Sequence, residues 1–236
     1  MVISMKKIGI LSSLAILALS SSAFASVGGV AVGATRVVYK ENMKETSLTV
    51  SNKNQSQYFL VQSWVDDKDG NKKVPFVITP PLFRLNANKE NMLRIVKKSN
   101  DGVPTDRESV YWLNIKSIPP APENAENQNI LQLAIKTRIK LFYRPNGLPG
   151  SAETAPESLT WSQQGNDLVA TNPTAYSVTL NTLTVDGKKV SCTDMVLPKS
   201  ATHYPLPAGT GHVNHITFTT INDFGGVTAE INSSAK

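Results

Sequence analysis

The sequence predicts an all-β protein built as two β-sandwich domains. Three observations lead there. Nearly every apolar stretch after residue 26 is short and rich in β-branched and aromatic residues, the composition of strands. Turn signals such as Asp69-Gly70, Asn100-Asp101-Gly102, Asp186-Gly187 and Gly225-Gly226 separate these stretches. No long segment repeats its apolar residues with the period of about 3.6 that a helix with one buried face requires.

The elements follow in chain order. Lys6 and Lys7 precede an apolar run from Ile8 to Leu19, and Ala23-Phe24-Ala25 has the small-x-small pattern of a secretory cleavage site. The run is too short to cross a bilayer, which takes about 20 apolar residues. A cleaved signal peptide over 1–25 is therefore expected rather than an N-terminal anchor, with cleavage after Ala25 and an exported mature chain that has no further membrane segment. "GATRVVY" (33–39), "TSLTVSN" (46–52), "YFLVQSWV" (58–65), "VYWLNIKSI" (110–118), "YSVTLNTLTV" (176–185) and "HITFTTI" (215–221) read as strands, and "PPAPENAENQ" (119–128) as a loop. "RPNGLPGSAETAPES" (144–158) is punctuated by Pro145, Gly147, Pro149, Gly150 and Pro156 and is poor in apolar residues, which marks a domain boundary. The expected domains are 26–146 and 147–236, each the size of an immunoglobulin-like sandwich.

"LQLAIKTRIKLFYRP" (131–145) carries the strictest alternation. Leu131, Leu133, Ile135, Ile139 and Leu141 share one parity; Gln132, Lys136, Arg138 and Lys140 share the other. This is a strand with one apolar face. Parity alone does not say whether that face packs on the protein's own core or is left open to another molecule.

Charge and reactive residues exclude several functions. Lys and Arg total 24 against 18 acids, a modest excess with no block of like charge, which argues against nucleic-acid binding. Cys192 is the only cysteine and cannot form an internal bridge, so both domains must be held by hydrophobic cores. His203, His212 and His215 have no neighbouring cysteine or carboxylate cluster and suit loop positions rather than a metal site. Signatures of nucleophilic, zinc or phosphate chemistry are missing from the mature chain, so no catalytic residue, metal or cofactor is expected. Two alternatives stay open at this point. Asp106 and Glu108 could form a glycosidase-like carboxylate pair, although an ion pair suits them better. Trp64, Trp112 and Trp161 could stack on sugars in a secreted adhesin or carbohydrate-binding protein, although core packing is expected for at least two. Charges inside strands are costly unless exposed or paired. Arg36 in "GATRVVY", Arg138, Lys140 and Arg144 beside the boundary, and the Asp106-Arg107-Glu108 triplet together begin to describe a cationic cleft between domains.

"GATRVVY", "ITPPLFRL" (78–85), "VPTDRESVYWLNIKSIPP" (103–120), "LQLAIKTRIKLFYRP" and "TINDFGG" (220–226) resemble the periplasmic pilus-assembly chaperones of the chaperone–usher systems, the type 1 fimbrial group above all. The resemblance covers 26–236 and is most specific over 103–145. It implies two immunoglobulin-like domains set at an angle in a boomerang shape, with a binding cleft between them, and no enzymatic activity. It implies a periplasmic chaperone in fimbrium biogenesis and cell wall organization, one that folds and caps pilin subunits by donor-strand complementation and delivers them to an outer-membrane usher. Carried over by motif, Leu131, Leu133 and Ile135 are the donated side chains, and Arg36 and Lys140 anchor the subunit's C-terminal carboxylate. Glu108, Arg144 and Asp223 form an interdomain ionic cluster that sets the domain angle. A self-capping homodimer is compatible with the same exposed strand. The single Cys192 departs from members that brace the second domain with a disulfide, and the short 119–128 loop resembles the subclass that builds rod-like pili.

Overall fold

The computed structural model describes residues 29–99, 102–121, 131–190 and 194–235. The expected signal peptide, most of the 119–128 loop and Cys192 lie outside the described residues.

A strand whose side chains alternate between apolar and polar has one face to bury, and two sheets packed face to face bury both. The first sandwich does this with strands β1 (Val30–Val32), β2 (Arg36–Lys40), β3 (Glu45–Asn52), β4 (Phe59–Asp66), β5 (Phe76–Thr79), β6 (Leu82–Leu85), β7 (Glu90–Lys97), β8 (Ser109–Ile118) and β9 (Ile135–Arg144). One sheet has the order β1-β3-β7-β5 and the other β2-β9-β8-β4-β6. Leu48, Val50, Val61, Leu93, Ile95, Leu113, Ile115 and Leu141 fill the space between them and are almost wholly buried. Every strand pair here is antiparallel except β2 with β9, which is parallel.

That exception follows from a change of sheet. β1 pairs with β3 in the first sheet, and three residues later β2 pairs with β9 in the second. Gly33 makes the crossing: its N–H donates to the Thr49 carbonyl at 2.8 Å, and a Cβ on Gly33 would sit 3.1 Å from that oxygen. The Pro80-Pro81 corner between β5 and β6 makes a second crossing of the same kind.

The second sandwich is smaller. β10 (Thr160–Gln164), β11 (Asp167–Asn172) and β15 (Ser200–Pro205) form one sheet. β13 (Lys188–Lys189), β12 (Val178–Val185), β16 (Ile216–Thr220) and β17 (Ile231–Ser233) form the other, with β14 (Met195–Val196) paired to the start of β12. Trp161 sits at the centre, its ring 5.2 Å from Phe218 and 6.4 Å from Tyr204. Asp186 and Gly187, both at positive φ, turn β12 into β13 in two residues, as Asp-Gly hairpins do. The last member of the first core is Tyr143 and the first of the second is Ala155, within a short 3-10 turn at Ala155–Ser158. Among the described residues there is no helix long and apolar enough to cross a membrane.

The two domains share a device that the sequence does not advertise. Asn52 ends β3 and Asn172 ends β11, both buried. Asn52 Nδ2 donates to the carbonyls of Gln57 and Leu85, and its Oδ1 accepts from the Asn54 amide. Asn172 Nδ2 donates to the carbonyls of Tyr176, Val196 and Leu197, while its Oδ1 accepts from the amide and hydroxyl of Thr174. Each side chain thus satisfies the backbone of a bend that strands cannot reach. Asn172→Ala should cost about 2–4 kcal/mol, because it leaves buried carbonyls unpaired. Urea unfolding followed by Trp161 fluorescence will show it as a midpoint shift, and an unchanged midpoint would contradict the assignment.

Candidate functional site

The site is built around β9. Ile139, Leu141 and Tyr143 point into the first core. Ile135, Leu133 and Leu131 continue the same parity but lie past the end of that core, 65%, 67% and 82% exposed. The strand begins at Ile135, not at Leu131 as the alternation suggests: residues 131–134 have no strand partner among the described residues, and Gln132 reaches back to the Pro119 carbonyl at 2.7 Å. The two edges of β9 are used unequally. β8 pairs with it from Ile135 to Tyr143, whereas β2 pairs only from Lys140 to Arg144. Along 135–139 one edge of the strand carries no neighbour among the described residues.

The cations stand where that free edge ends. Arg36 and Lys140 are register partners, so their side chains share the outer face of the sheet, side by side. Arg36 Nη1 donates to the Ile221 carbonyl at 2.9 Å and to Thr179 Oγ1 at 3.5 Å, both in the second domain, and its guanidinium lies over the Phe142 ring. Its Nε is buried without a hydrogen-bond partner. Lys140 makes no hydrogen bond or ion pair within the described residues. Burial, and then the Arg36 charge, hold the Lys140 ammonium below its ordinary value, with Asp194 a partial offset. Burial lowers Arg36 as well, against the field of Asp223. Two desolvated like charges with an unfilled donor form a place that favours an incoming anion.

Below them lies the ionic cluster. Arg144 Nε meets Glu108 Oε1 at 2.6 Å, and its two terminal nitrogens hold the Asp223 carboxylate at 2.7 and 2.9 Å. The second oxygen of Glu108 accepts the Ser177 amide at 2.8 Å, and the Glu108 amide donates to the Ala175 carbonyl at 2.9 Å. Glu108 and Arg144 belong to the first sandwich, Ser177 and Asp223 to the second. Burial pushes the Glu108 carboxyl up, opposed by Arg144 and the Ser177 amide. Burial works against the Arg144 charge too, but Asp223 and Glu108 outweigh it and hold the guanidinium above its ordinary value.

All eight residues singled out from the sequence therefore lie along β9, in the stretch that leads into it, or at the domain junction it reaches. Other expectations change. Asp106 and Glu108 do not share a strand face; they precede β8, with Asp106 bound to Lys199 and Arg107 and Glu108 turned inward to Arg144. Of the three tryptophans only Trp161 is core. Trp64 and Trp112 lie half-buried on the outer sheet face, and Lys72 and Arg138 stack over their rings, 5.0 and 4.7 Å from the centroids, where a sugar would have to sit. A cavity of about 300 Å³ opens beside Arg36, lined by Phe142, Thr179, Ile221, Asp223 and Phe224. Phe224, 97% exposed, is the residue that strand patterns miss. It tops a turn in which Asn222 Oδ1 accepts the amides of Phe224 and Gly226, and Gly225 packs against Thr35 so closely that a Cβ would fall 2.4 Å from its hydroxyl.

Comparison with known proteins identifies the family. Residues 29–149 match the pili and flagellar-assembly chaperone family, PapD N-terminal domain, and residues 154–232 match the PapD C-terminal domain of the pili assembly chaperones. The chain is 52% identical to the probable fimbrial chaperone LpfB of Escherichia coli O157:H7 over 84% of its own length and 85% of the relative's. It is 41% identical to the chaperone protein FimC of Escherichia coli K12, over 86% and 83%. Among solved structures it superposes on the E. coli chaperone DraB with a TM-score of 0.78 at 38% identity, covering 89% of this chain and 97% of that one. The SafB chaperone of Salmonella enterica, solved in complex with the SafA pilin, gives 0.79 at 37% identity, covering 87% and 96%. With both halves matched and the two-sandwich fold shared, the chain belongs to the PapD family of pilus-assembly chaperones.

Proposed function

We propose that this chaperone captures pilin subunits in the periplasm by donating the free edge of β9, and passes them to an outer-membrane usher. One observation carries the reading: the exposed Leu131, Leu133 and Ile135 extend the core parity of a strand whose free edge ends at two cations. The direction of docking follows from β2. It takes over the edge at Arg36, opposite Lys140, and runs parallel to β9. A strand that ends at the cation pair must therefore arrive along 135–139, also parallel to β9. Its terminal carboxylate would fill the donor left open on Arg36 and offset the repulsion between Arg36 and Lys140. Charge-assisted hydrogen bonds of that kind are worth about 1.5–3 kcal/mol each. Burying Leu131, Leu133 and Ile135 in the subunit's groove adds roughly 1.5–3 kcal/mol per side chain, against the entropy of association. The anchor also fixes register, since a slip of one residue would point all three away from the groove. The chain divides after residue 146 in this reading, and Glu108, Arg144 and Asp223 hold the second domain at the angle that keeps Arg36 and Lys140 at the floor of the cleft.

Three outcomes are expected. Leu133→Asp should abolish co-purification of a cognate pilin while leaving the thermal midpoint unchanged, because its side chain is exposed in the free protein; a fully retained complex would remove the donor assignment. Lys140→Met should also lose the subunit, yet its midpoint should equal or exceed that of the unsubstituted protein. The sign follows from linkage: a folded-state ammonium held below its unfolded value opposes folding at neutral pH, and that opposition fades as pH rises through the lowered value. A clear drop in midpoint would count against it. Glu108→Ala should cost about 1–3 kcal/mol by urea unfolding, since Arg144 keeps Asp223 but its Nε and the Ser177 amide lose their acceptor, and small-angle scattering should report a wider distribution of interdomain angles. A scattering profile identical to that of the unsubstituted protein would remove Glu108 from the angle-setting cluster.

A further inference from the structure

The outer face of the five-stranded sheet carries a second like-charged pair. Lys116 on β8 and Lys136 on β9 are directly opposed in register, as Arg36 and Lys140 are one strand further on. Like charges placed opposite each other weaken a sheet. Opposite-charge neighbours are the usual remedy, and Arg138 has one, with Asp66 at 3.1 Å. Lys116 and Lys136 have none: neither makes an ion pair or hydrogen bond within the described residues, and Lys136 is exposed on the donating stretch itself.

Spacing relates the two pairs. Lys136 and Lys140 share a parity and stand four residues apart on the same strand, roughly 13 Å at the rise of a β-strand. Lys140 marks the end of the free edge, and Lys136 lies near its start. A strand docked parallel to β9 with its carboxylate at Lys140 would therefore set the residue about four places before its C-terminus beside Lys136, on the same face as the carboxylate.

We propose that Lys116 and Lys136 form a second reading position, which selects partners bearing an acidic side chain about four residues before the C-terminus of the docked strand. The inference rests on the carboxylate anchor proposed above and deepens it: the terminal carboxylate says where the strand ends, and the lysine pair says which strand it is. The same two cations would repel a partner with lysine or arginine at that place, so the position discriminates by repulsion as well as attraction.

Synthetic peptides of alternating apolar pattern, with a free C-terminal carboxylate and Glu, Gln or Lys four residues before it, test this by fluorescence anisotropy against the full protein. The Glu peptide should bind on the order of tenfold more tightly than the Lys peptide at low ionic strength, and the gap should narrow as salt is added. Lys136→Glu should reverse the preference, and Lys136→Gln should flatten it. Equal affinities for the three peptides, or a preference for Glu that survives Lys136→Glu, would overturn the lysine-pair assignment alone. Equal binding of a peptide with an amidated C-terminus, or no binding by any peptide, would overturn the anchor and this inference with it. Binding to phosphatidylglycerol vesicles without discrimination among the peptides would assign the cationic face to a lipid surface and overturn the proposal.

Discussion

From Lys140 to Tyr143 β9 is paired on both edges; from Ile135 to Ile139 it is paired on one among the described residues. That half-pairing rests on a single event upstream, the crossing at Gly33 that carries the chain from one sheet to the other and starts β2 at Arg36. Had β2 begun a few residues sooner, it would cover the free edge and bury the donor face. Had it begun later, Arg36 would not stand beside Lys140. One strand consequently holds three tasks in sequence: an exposed apolar stretch, a cation at its midpoint, and at its end the Arg144 that binds the other domain.

The free protein carries local costs that a self-sufficient sandwich would avoid. Two cations are desolvated side by side, a buried guanidinium N–H has no acceptor, and three large apolar side chains face water. Such conflicts cluster where a structure is completed by something else. An open strand edge also invites random pairing, and charged residues along it are the usual defence. Lys136 and Arg138 stand on that stretch, so the same charges that keep the edge soluble are available to question what docks there.

Much of this was legible in the sequence, for reasons that differ by element. β3, β4, β8, β12 and β16 announce themselves because each has several β-branched or aromatic residues in a row. β6 and β7 do not: Arg84 interrupts the first, and in the second Arg94 separates the two buried residues, Leu93 and Ile95, from each other. Parity along 131–145 showed an apolar face, but its division into a core half and an exposed half depends on where β2 begins, which no local pattern contains. Arg36, Lys140, Glu108, Arg144 and Asp223 were reached through motif resemblance; their distances apart in sequence hide that the first pair are register partners and the rest share one guanidinium. The buried Asn52 and Asn172 went unseen because a single asparagine before a turn looks like any other turn residue. Phe224 went unseen because a lone aromatic in a loop has no period to belong to.

The stop that β2 places on the free edge has a consequence in time. A partner recognised by its terminal carboxylate is recognised by the last atoms its synthesis adds. An unfinished chain, or one still tethered at that end, has no such group to offer, whatever the quality of the strand preceding it. Under the proposed anchor the cleft would distinguish free chain ends from tethered ones without any moving part, because the free edge stops at Arg36 and the stop is charged.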